Sequence, residues 1–256
     1  MAEPVLALGG ICKSFGGVEV LRDVALSVPR GARHALIGPN GAGKTTLFNV
    51  ISGVIAPDAG RVMLDGRDIT AVPARRRIRL GIARSFQNIR LMPHLSVVEN
   101  VMLGQHARAS LAGLFAPVGL MPRSRAREEA MAVLEAFGLD PHPGQVVSNL
   151  PYGVRKKIEI VRALAARPRV LMLDEPAAGL NTAETAALRD FLMGVSEAGV
   201  TLIVVEHDMP FVHSLCGHVT VMNFGRVIYD GPAAGVREDP AVLEAYLGHG
   251  RGGDAA

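Results

Sequence analysis

Apolar residues alternate with small and polar residues through the first part of the chain, in short runs broken by glycine and proline. The pattern over residues 5–37 predicts several short strands, with turns at residues 16–17 and 29–31. The last of these strands, Ala35–Ile37, is apolar throughout and ends at a glycine, which is typical of a buried strand. A glycine-rich loop follows, and Thr45–Ile51 then has a helical pattern.

Helical and strand patterns alternate through the rest of the chain. A strand at Ile82–Phe86 leads into residues 94–166, which are mostly helical in pattern and include an amphipathic segment at Glu128–Phe137. Val170–Leu173 is continuously apolar, as expected for a central parallel strand buried on both faces. A helix, a strand, a short helix and another strand follow. The alternation predicts one α/β domain with a helical insertion.

Composition narrows the class of protein. The chain has 256 residues, 49% of them apolar and 20% charged, which excludes a disordered or fibrous chain. No run of eighteen apolar residues occurs, so no membrane-spanning helix is expected, and the first residues do not resemble an export signal. Two cysteines are too few for a zinc cluster and fit a reducing cytoplasm. Arginine is the usual cation, and the lysines are Lys13, Lys44, Lys156 and Lys157.

One motif carries specific chemistry. The pattern G-x-x-x-x-G-K-[ST] is matched in full by Gly38, Pro39, Asn40, Gly41, Ala42, Gly43, Lys44 and Thr45. Its glycines let backbone N–H groups converge on phosphate oxygens at the start of a helix, where the helix dipole favours negative charge. Lys44 can reach the β- and γ-phosphates, and the Thr45 hydroxyl can bind Mg²⁺. The motif predicts a nucleotide site.

A carboxylate pair follows the apolar strand at Val170–Leu173. In a phosphate-loop site, Asp174 would hold Mg²⁺ through water, and Glu175 would act as general base or orient the attacking water. Together with the phosphate loop, the pair favours nucleotide hydrolysis.

Residues 4–247 taken together resemble the ATP-binding cassette (ABC) ATPases. The resemblance implies adenine stacking by Phe15, ATP contacts by Thr46, Mg²⁺ and nucleotide contacts by Gln87, and a γ-phosphate switch at His207. It also implies contact with a second ATPase subunit through Gly179, Leu180 and Asn181. The implied fold is a P-loop α/β domain with a mixed or parallel core sheet, an N-terminal antiparallel β subdomain and an inserted helical subdomain. Its expected bounds are 4–248 for the domain, about 90–165 for the insertion and 249–256 for a flexible tail.

Single residues in this set have simpler alternatives. Phe15 alone would be a core aromatic residue, and His207 alone an ordinary residue at a strand end. Asn181 alone would be a helix N-cap, with Glu184 completing a capping box. Only the ordered set is specific to the family.

The family signature, usually Leu-Ser-Gly-Gly-Gln, departs from its pattern here. It reads Leu150, Pro151, Tyr152, Gly153 and Val154. In the family this segment opens a helix and faces ATP bound to the other subunit. Gly153 and the helix N-terminus retain backbone N–H donors, and proline suits a first helical turn. The serine hydroxyl is lost, so a weak closed dimer or a partner with a complete signature is expected.

Further stretches resemble the importer branch for branched-chain or hydrophobic amino acids, and within it the longer of two ATPase subunits. They are residues 82–87, 97–100, 149–153, 173–181 and 243–248, with an extra segment at 105–127. The branch implies a second ATPase subunit, two permeases and, indirectly, a substrate-binding protein, with this chain on the cytoplasmic face of the membrane. The branch also holds urea importers and a lipopolysaccharide-export ATPase, so the cargo stays open.

Other classes of protein fit less well. A DNA-repair or chromosome ATPase would carry heptad arms or zinc clusters, and the sequence has neither heptads nor enough cysteines. A translation-factor ATPase would carry two phosphate loops in one chain, and this sequence has one. A nucleotide sensor that does not hydrolyse would be favoured if Glu175 were absent, but Glu175 is present. No nucleic-acid partner is therefore expected.

Three surface features have open interpretations. Residues 109–122 fit a permease-facing surface or an ordinary helix–turn–helix. The arginines at positions 75, 76, 77 and 79 are expected to form a solvated helix face, with contact to anionic lipid as the alternative. Lys156 and Lys157 are also expected on a solvated face.

Overall fold

The computed structural model describes residues 4–85, 90–105, 123–139, 142 and 144–247. Its strands are β1 (Pro4–Phe15), β2 (Val18–Pro29), β3 (Arg33–Ile37), β4 (Ala59–Leu64), β5 (Arg67–Asp68), β6 (Ile82–Arg84), β7 (Val170–Asp174), β8 (Thr201–Val205), β9 (His218–Asn223) and β10 (Arg226–Pro232). Its helices are α1 (Lys44–Ser52), α2 (Ala74–Arg77), α3 (Val97–Gln105), α4 (Arg123–Ala136), α5 (Tyr152–Leu164), α6 (Thr182–Glu197), α7 (Met209–Leu215) and α8 (Pro240–Leu247).

The first sheet is antiparallel, with the strand order β2-β1-β4-β5. The predicted turns at 16–17 and 29–31 are present, but the prediction of several short strands was wrong for this region. β1 and β2 are each 12 residues long and pair along their whole length. Their pairing passes through register shifts, one of them between Leu8 and Ile11. An interrupted apolar pattern indicates that a strand has ended. A β-bulge, however, allows the two strands to stay paired through the interruption.

The second sheet is mixed, with the order β10-β9-β3-β8-β7-β6. Neighbouring strands from β9 to β6 are parallel, and β10 adds an antiparallel edge. Val170–Leu173 and the whole of β8 are buried, as expected for strands covered on both faces. Parallel strands end at the same edge of the sheet. The loops after β3, β7 and β8 therefore lie side by side, which is where open α/β sheets bind ligands.

A separate apolar cluster holds the helical part of the chain together. It packs Val98 and Val101 of α3 against Leu134 of α4 and Ile158 and Val161 of α5. The α/β fold class with its antiparallel sheet, mixed core sheet and helices is confirmed. The domain bounds stay a prediction, and the expected tail at 249–256 lies outside the described residues. Within the part of the chain that the structure describes, no helix is long and apolar enough to cross a bilayer.

Arg77 contradicts the prediction of a solvated arginine face, although Arg75, Arg76 and Arg79 are exposed. Arg77 is 1% exposed and donates to four backbone carbonyls. Two of these acceptors, Val50 and Ile51 at 2.7 Å, lie in the last turn of α1, where carbonyl groups lack helical partners. The guanidinium therefore caps the helix that follows the phosphate loop. Lipid contact by the exposed arginines stays a prediction.

A polar network lies in the mixed sheet and joins three of its strands. His34 Nε2 of β3 is 2.7 Å from the hydroxyl of Thr220 in β9. That hydroxyl donates to Asp230 Oδ1 of β10 at 2.6 Å, and His218 Nε2 lies 3.0 Å from the same oxygen. His34 is fully buried. Its burial, and then the neighbouring His218, lower the pKa of His34 from 6.5 to about 4.

Candidate nucleotide-binding site

A cavity of about 240 Å³ opens where β3, β7 and β8 end. Phosphate-loop residues and the carboxylate pair share its wall: Asn40, Gly41, Ala42, Gly43, Lys44, Thr45 and Thr46 with Asp174 and Glu175. The sequence separates these two groups by about 130 positions, and the adjacency of parallel strands brings them together. The geometry therefore places the two predicted halves of the site in one cavity.

Two glycines of the phosphate loop stand where any side chain would collide with backbone. A Cβ on Gly38 would lie 2.1 Å from the carbonyl oxygen of Met222, and one on Gly43 would lie 2.9 Å from that of Val20. Both residues also have positive φ angles, of 148° and 100°. The loop can follow this path only with glycine at these positions. Gly43 is the N-cap of α1, whose first N–H groups are directed toward the loop.

Lys44 begins α1 and bends back over its own loop. Its Nζ donates to the carbonyl oxygens of Gly38 at 2.6 Å and Pro39 at 2.9 Å. Burial lowers the pKa of Lys44, and the charges of Glu175 and Asp174 oppose that shift. The ammonium group thus binds the loop and interacts electrostatically with both carboxylates, and all three residues line the same cavity.

Glu175 has an unusual backbone conformation for a residue with a side chain. Its φ is 46°, in the left-handed region, and its N–H donates to the Val205 carbonyl at 2.9 Å. Strain of this kind costs on the order of 1–3 kcal/mol and is characteristic of functional sites. His207 Nδ1 lies 3.8 Å from Glu175 Oε1, with the His207 side chain 71% exposed. The structure therefore brings His207 and the predicted catalytic carboxylate together.

Glu206, to which the sequence analysis gave no role, fixes the backbone near Glu175 and His207 through hydrogen bonds. It is 1% exposed, and its carboxylate accepts the N–H groups of Ala177 at 2.9 Å and His207 at 3.1 Å. Burial raises the pKa of Glu206, while these hydrogen bonds oppose the shift. One buried carboxylate thus holds the segments that carry Glu175 and His207. Its sequence signal was an acidic residue directly after a wholly apolar strand.

Lys156 also differs from its prediction. It is 3% exposed rather than solvated. Ile160 and Leu164, which lie on the same face of α5 at helical spacing, pack in a cluster with residues of the core sheet. Burial lowers the pKa of Lys156, and the charges of Glu159, Glu206 and the carboxylate pair oppose that shift. Lys157 is half-buried, with Nζ 5.8 Å from the centre of the Phe191 ring. A solvated face is therefore wrong for both lysines.

Phe15 lies at the end of β1, beside the tight turn at 16–17. It is 46% exposed, and Lys13 Nζ lies 5.4 Å from its ring centre. The alternative of a core aromatic residue is excluded, and a ring open to a ligand remains. Adenine stacking by Phe15 stays a prediction. Gln87 lies in residues 86–89, outside the described residues, as does the segment 109–122.

The signature segment begins α5. Pro151 is the N-cap, directly before the first helical turn in which it was expected, and its carbonyl accepts from Arg155 N at 3.0 Å. Leu150 and Val154 pack at the edge of the helical apolar cluster. A Cβ on Gly153 would lie 3.0 Å from Glu184 Oε1, so this position is tightly packed.

The predicted dimer-contact loop touches the signature segment of its own chain. A Cβ on Gly179 would lie 3.4 Å from the ring of Tyr152. Leu180 is half-buried. Asn181 is the N-cap of α6, and its side chain accepts from Glu184 N at 2.9 Å while Glu184 accepts from Asn181 N at 3.1 Å. The capping-box alternative is therefore present, and contact with another subunit stays a prediction.

The donors in the cavity fit a divalent cation. Thr45 offers a hydroxyl oxygen, and Asp174 and Glu175 offer carboxylate oxygens, which are the ligands that Mg²⁺ prefers. Asp174 is also held by Arg84, which sequence reasoning did not assign. Arg84 Nη2 donates to Asp174 Oδ2 at 2.7 Å.

Comparison with known families agrees with this architecture. A family model described as ABC transporter matches residues 21–178. The chain therefore belongs to the ABC transporter family and is one of its ATP-binding cassettes. A second model, described as branched-chain amino acid ATP-binding cassette transporter, matches residues 226–251. The chain belongs to this branch of the family.

Its similarity to individual proteins extends over the full length. The high-affinity branched-chain amino acid transport ATP-binding protein BraF of Pseudomonas aeruginosa is 40% identical over 97% of this chain and 99% of BraF. The corresponding protein LivG of Salmonella typhimurium is 37% identical, with coverage of 97% and 99%. The crystal structure of the ADP conformation of MJ1267, an ATP-binding cassette of an ABC transporter, matches with a TM-score of 0.85 and 31% identity. That match covers 96% of this chain and 99% of MJ1267.

Proposed function

We propose that this chain binds and hydrolyses ATP to drive an ABC importer for branched-chain amino acids. The observation that carries the proposal is the single cavity lined by Lys44, Thr45, Asp174 and Glu175. The full-length similarity to BraF and LivG supports the cargo, which is the one named for those proteins.

Different residues bind the phosphates and activate the attacking water. The ammonium group of Lys44 exchanges its two carbonyl acceptors for β- and γ-phosphate oxygens, which carry more negative charge. The first N–H groups of α1 bind the same phosphates along the helix dipole. Glu175 orients a water molecule in line with the γ-phosphate and accepts its proton. His207 contacts the γ-phosphate beside Glu175.

Mg²⁺ would be held by Thr45 and Asp174, together with Gln87. When bound, it neutralises charge on the β- and γ-phosphates. Phe15 would stack on the adenine ring, and Thr46 would contact the phosphates.

The site is completed by a second ATPase subunit, identical or related. Residues 150–154 at the start of α5 would face ATP in that subunit, and residues 179–181 would touch it directly. A Cβ on Gly179 would lie 3.4 Å from the Tyr152 ring, so the two proposed contact surfaces adjoin each other. Two membrane permeases respond to the association of the two ATPase subunits, with a substrate-binding protein acting through them. The chain would thus lie on the cytoplasmic face of the membrane.

The test is the ATPase activity of the whole complex. The chain is co-purified with its membrane partners, and hydrolysis is measured with the binding protein loaded with leucine, isoleucine or valine. Stimulation by these amino acids, absent in a complex carrying Glu175→Gln, is the expected result. Stimulation only by another solute, such as urea, would contradict the cargo and leave the ATPase intact. A wild-type complex that hydrolyses no ATP would contradict the function itself.

A further inference from the structure

The contact between Arg84 and Asp174 has no part in the mechanism above. Arg84 Nη2 and Asp174 Oδ2 are 2.7 Å apart, and the two side chains are 14% and 13% exposed. Arg84 lies in β6, which pairs in parallel with β7, so both side chains emerge at the carboxyl edge of the sheet. A charge-assisted hydrogen bond with so little water around it is strong.

The same guanidinium is fixed from its other side by the phosphate-loop helix. Arg84 Nη1 donates to Asn49 Oδ1 at 2.6 Å, and Arg84 Cζ lies 5.5 Å from the centre of the Phe48 ring. Both partners belong to α1, which begins at Lys44. Arg84 therefore bridges the helix that carries the phosphate loop and the strand that carries Asp174.

The bridge from Arg84 to Asp174 changes the net charge of the cavity and therefore its affinity for cations. Asp174 and Glu175 are adjacent carboxylates, and with the Thr45 hydroxyl they form an oxygen-rich wall. Such a wall attracts a divalent cation even when no phosphate is present to share it. Arg84 donates a hydrogen bond to Asp174 Oδ2 and offsets the negative charge of that carboxylate. The other carboxylate oxygen, Oδ1, can bind a different ligand.

We propose that Arg84 is a positioning residue that holds Asp174 by one oxygen and weakens the affinity of the cavity for a divalent cation in the absence of nucleotide. Cation binding then depends on the phosphates that arrive with the nucleotide. The inference rests on the proposed function, because it assumes that cation and nucleotide share this cavity.

The experiment measures Mn²⁺ binding to the full chain without nucleotide, by the electron paramagnetic resonance signal of free Mn²⁺. Arg84→Met removes the charge and keeps the length of the side chain. It should tighten Mn²⁺ binding by about tenfold or more, since one cation at contact distance is removed. Arg84→Gln carries the same expectation if the methionine variant does not fold. Arg84→Lys keeps the charge, so its Mn²⁺ affinity should stay within about twofold of wild type.

Arg77→Met is the matched control, because Arg77 is an arginine of low exposure that donates to four backbone carbonyls and, among the described residues, to no carboxylate. It should lower the thermal midpoint and leave Mn²⁺ binding unchanged. Equal Mn²⁺ affinity in wild type and a folded, uncharged Arg84 variant would overturn the proposal. The same tightening in Arg84→Lys or Arg77→Met would also overturn it. None of these results bears on the proposed function, which is tested separately by Mg²⁺-dependent ATP hydrolysis of the wild-type protein.

Discussion

His34 makes the stability of the core sheet depend on pH. Its folded-state pKa of about 4 lies below its ordinary value of 6.5, so the unfolded chain takes up a proton that the folded chain does not. The folded state is therefore fully favoured above pH 6.5 and loses about 3 kcal/mol from this group as pH falls from 6.5 to 4.

The measurement is urea unfolding of wild type and His34→Gln across this pH range. Glutamine keeps a donor for Thr220 but does not titrate. The difference in unfolding free energy between the two proteins should change most between pH 6.5 and 4. A constant difference across the range would show that His34 does not have this pKa.

In the proposed function, Lys44 is the residue on which nucleotide affinity depends most directly. Lys44→Ala should weaken ATP binding by roughly 10- to 100-fold, which corresponds to the loss of a hydrogen bond to a charged group. Titration with a fluorescent ATP analogue measures this change. Lys157→Ala is the control, because Lys157 packs on Phe191 away from the cavity and should bind like wild type. Wild-type affinity in Lys44→Ala would contradict the assignment of the phosphate loop.

At the level of single residues, the sequence predicted those whose role lies in a contiguous motif. Lys44, Asp174 and Glu175 were singled out because fixed motif spacing indicates phosphate chemistry, and the structure places all three in one cavity. Their roles stay a prediction. Arg77 and Lys156 were misjudged, since burial of a charged side chain depends on partners supplied by distant segments. Arg84 and Glu206 were missed for the same reason: their partners lie on other elements, and a single sequence does not pair them.

At the level of elements, the proposed contact of the signature segment with a second subunit depends on the start of α5. Pro151 occupies the N-cap, where serine would offer a hydroxyl both to the helix and to a phosphate. Pro151→Ser should raise the proportion of ATP-bound dimer, measured by sedimentation in a Glu175→Gln background. The helix cap should also add about 0.5–2 kcal/mol to the unfolding free energy.

Pro151→Ala is the matched control, because it removes the ring without adding a hydroxyl. It should leave the dimer population near that of the parent protein. If serine and alanine variants dimerise equally, the missing hydroxyl is not what limits closure.

Element boundaries were predictable where the periodic pattern was uninterrupted. α1, β7 and α6 were anticipated from their apolar periods and flanking loops. β1 and β2 were divided too finely, because bulges allow long antiparallel strands to continue through glycine and irregular spacing.

At the level of the whole molecule, the alternation of strands and helices predicted a parallel core sheet but not its strand order. That order places β3 between β8 and β9, and β7 next to β8. The candidate nucleotide-binding cavity exists only because of this order, which is set by long-range packing. Resemblance to a known family supplied the antiparallel N-terminal sheet, which the local pattern did not predict, whereas the helical pattern over residues 94–166 already indicated the helical insertion.

We propose that ATP is hydrolysed in the cavity at the carboxyl edge of the core sheet, with Glu175 accepting the proton of the attacking water. Steady-state phosphate release by purified wild type and Glu175→Gln, with ATP binding measured on the same samples, tests it most directly. The amide keeps the shape of the side chain but cannot accept the proton of the attacking water. The variant should bind ATP like wild type, form more ATP-bound dimer and lose at least about 100-fold in hydrolysis rate. Hydrolysis at the wild-type rate by Glu175→Gln would show that Glu175 is not the catalytic carboxylate.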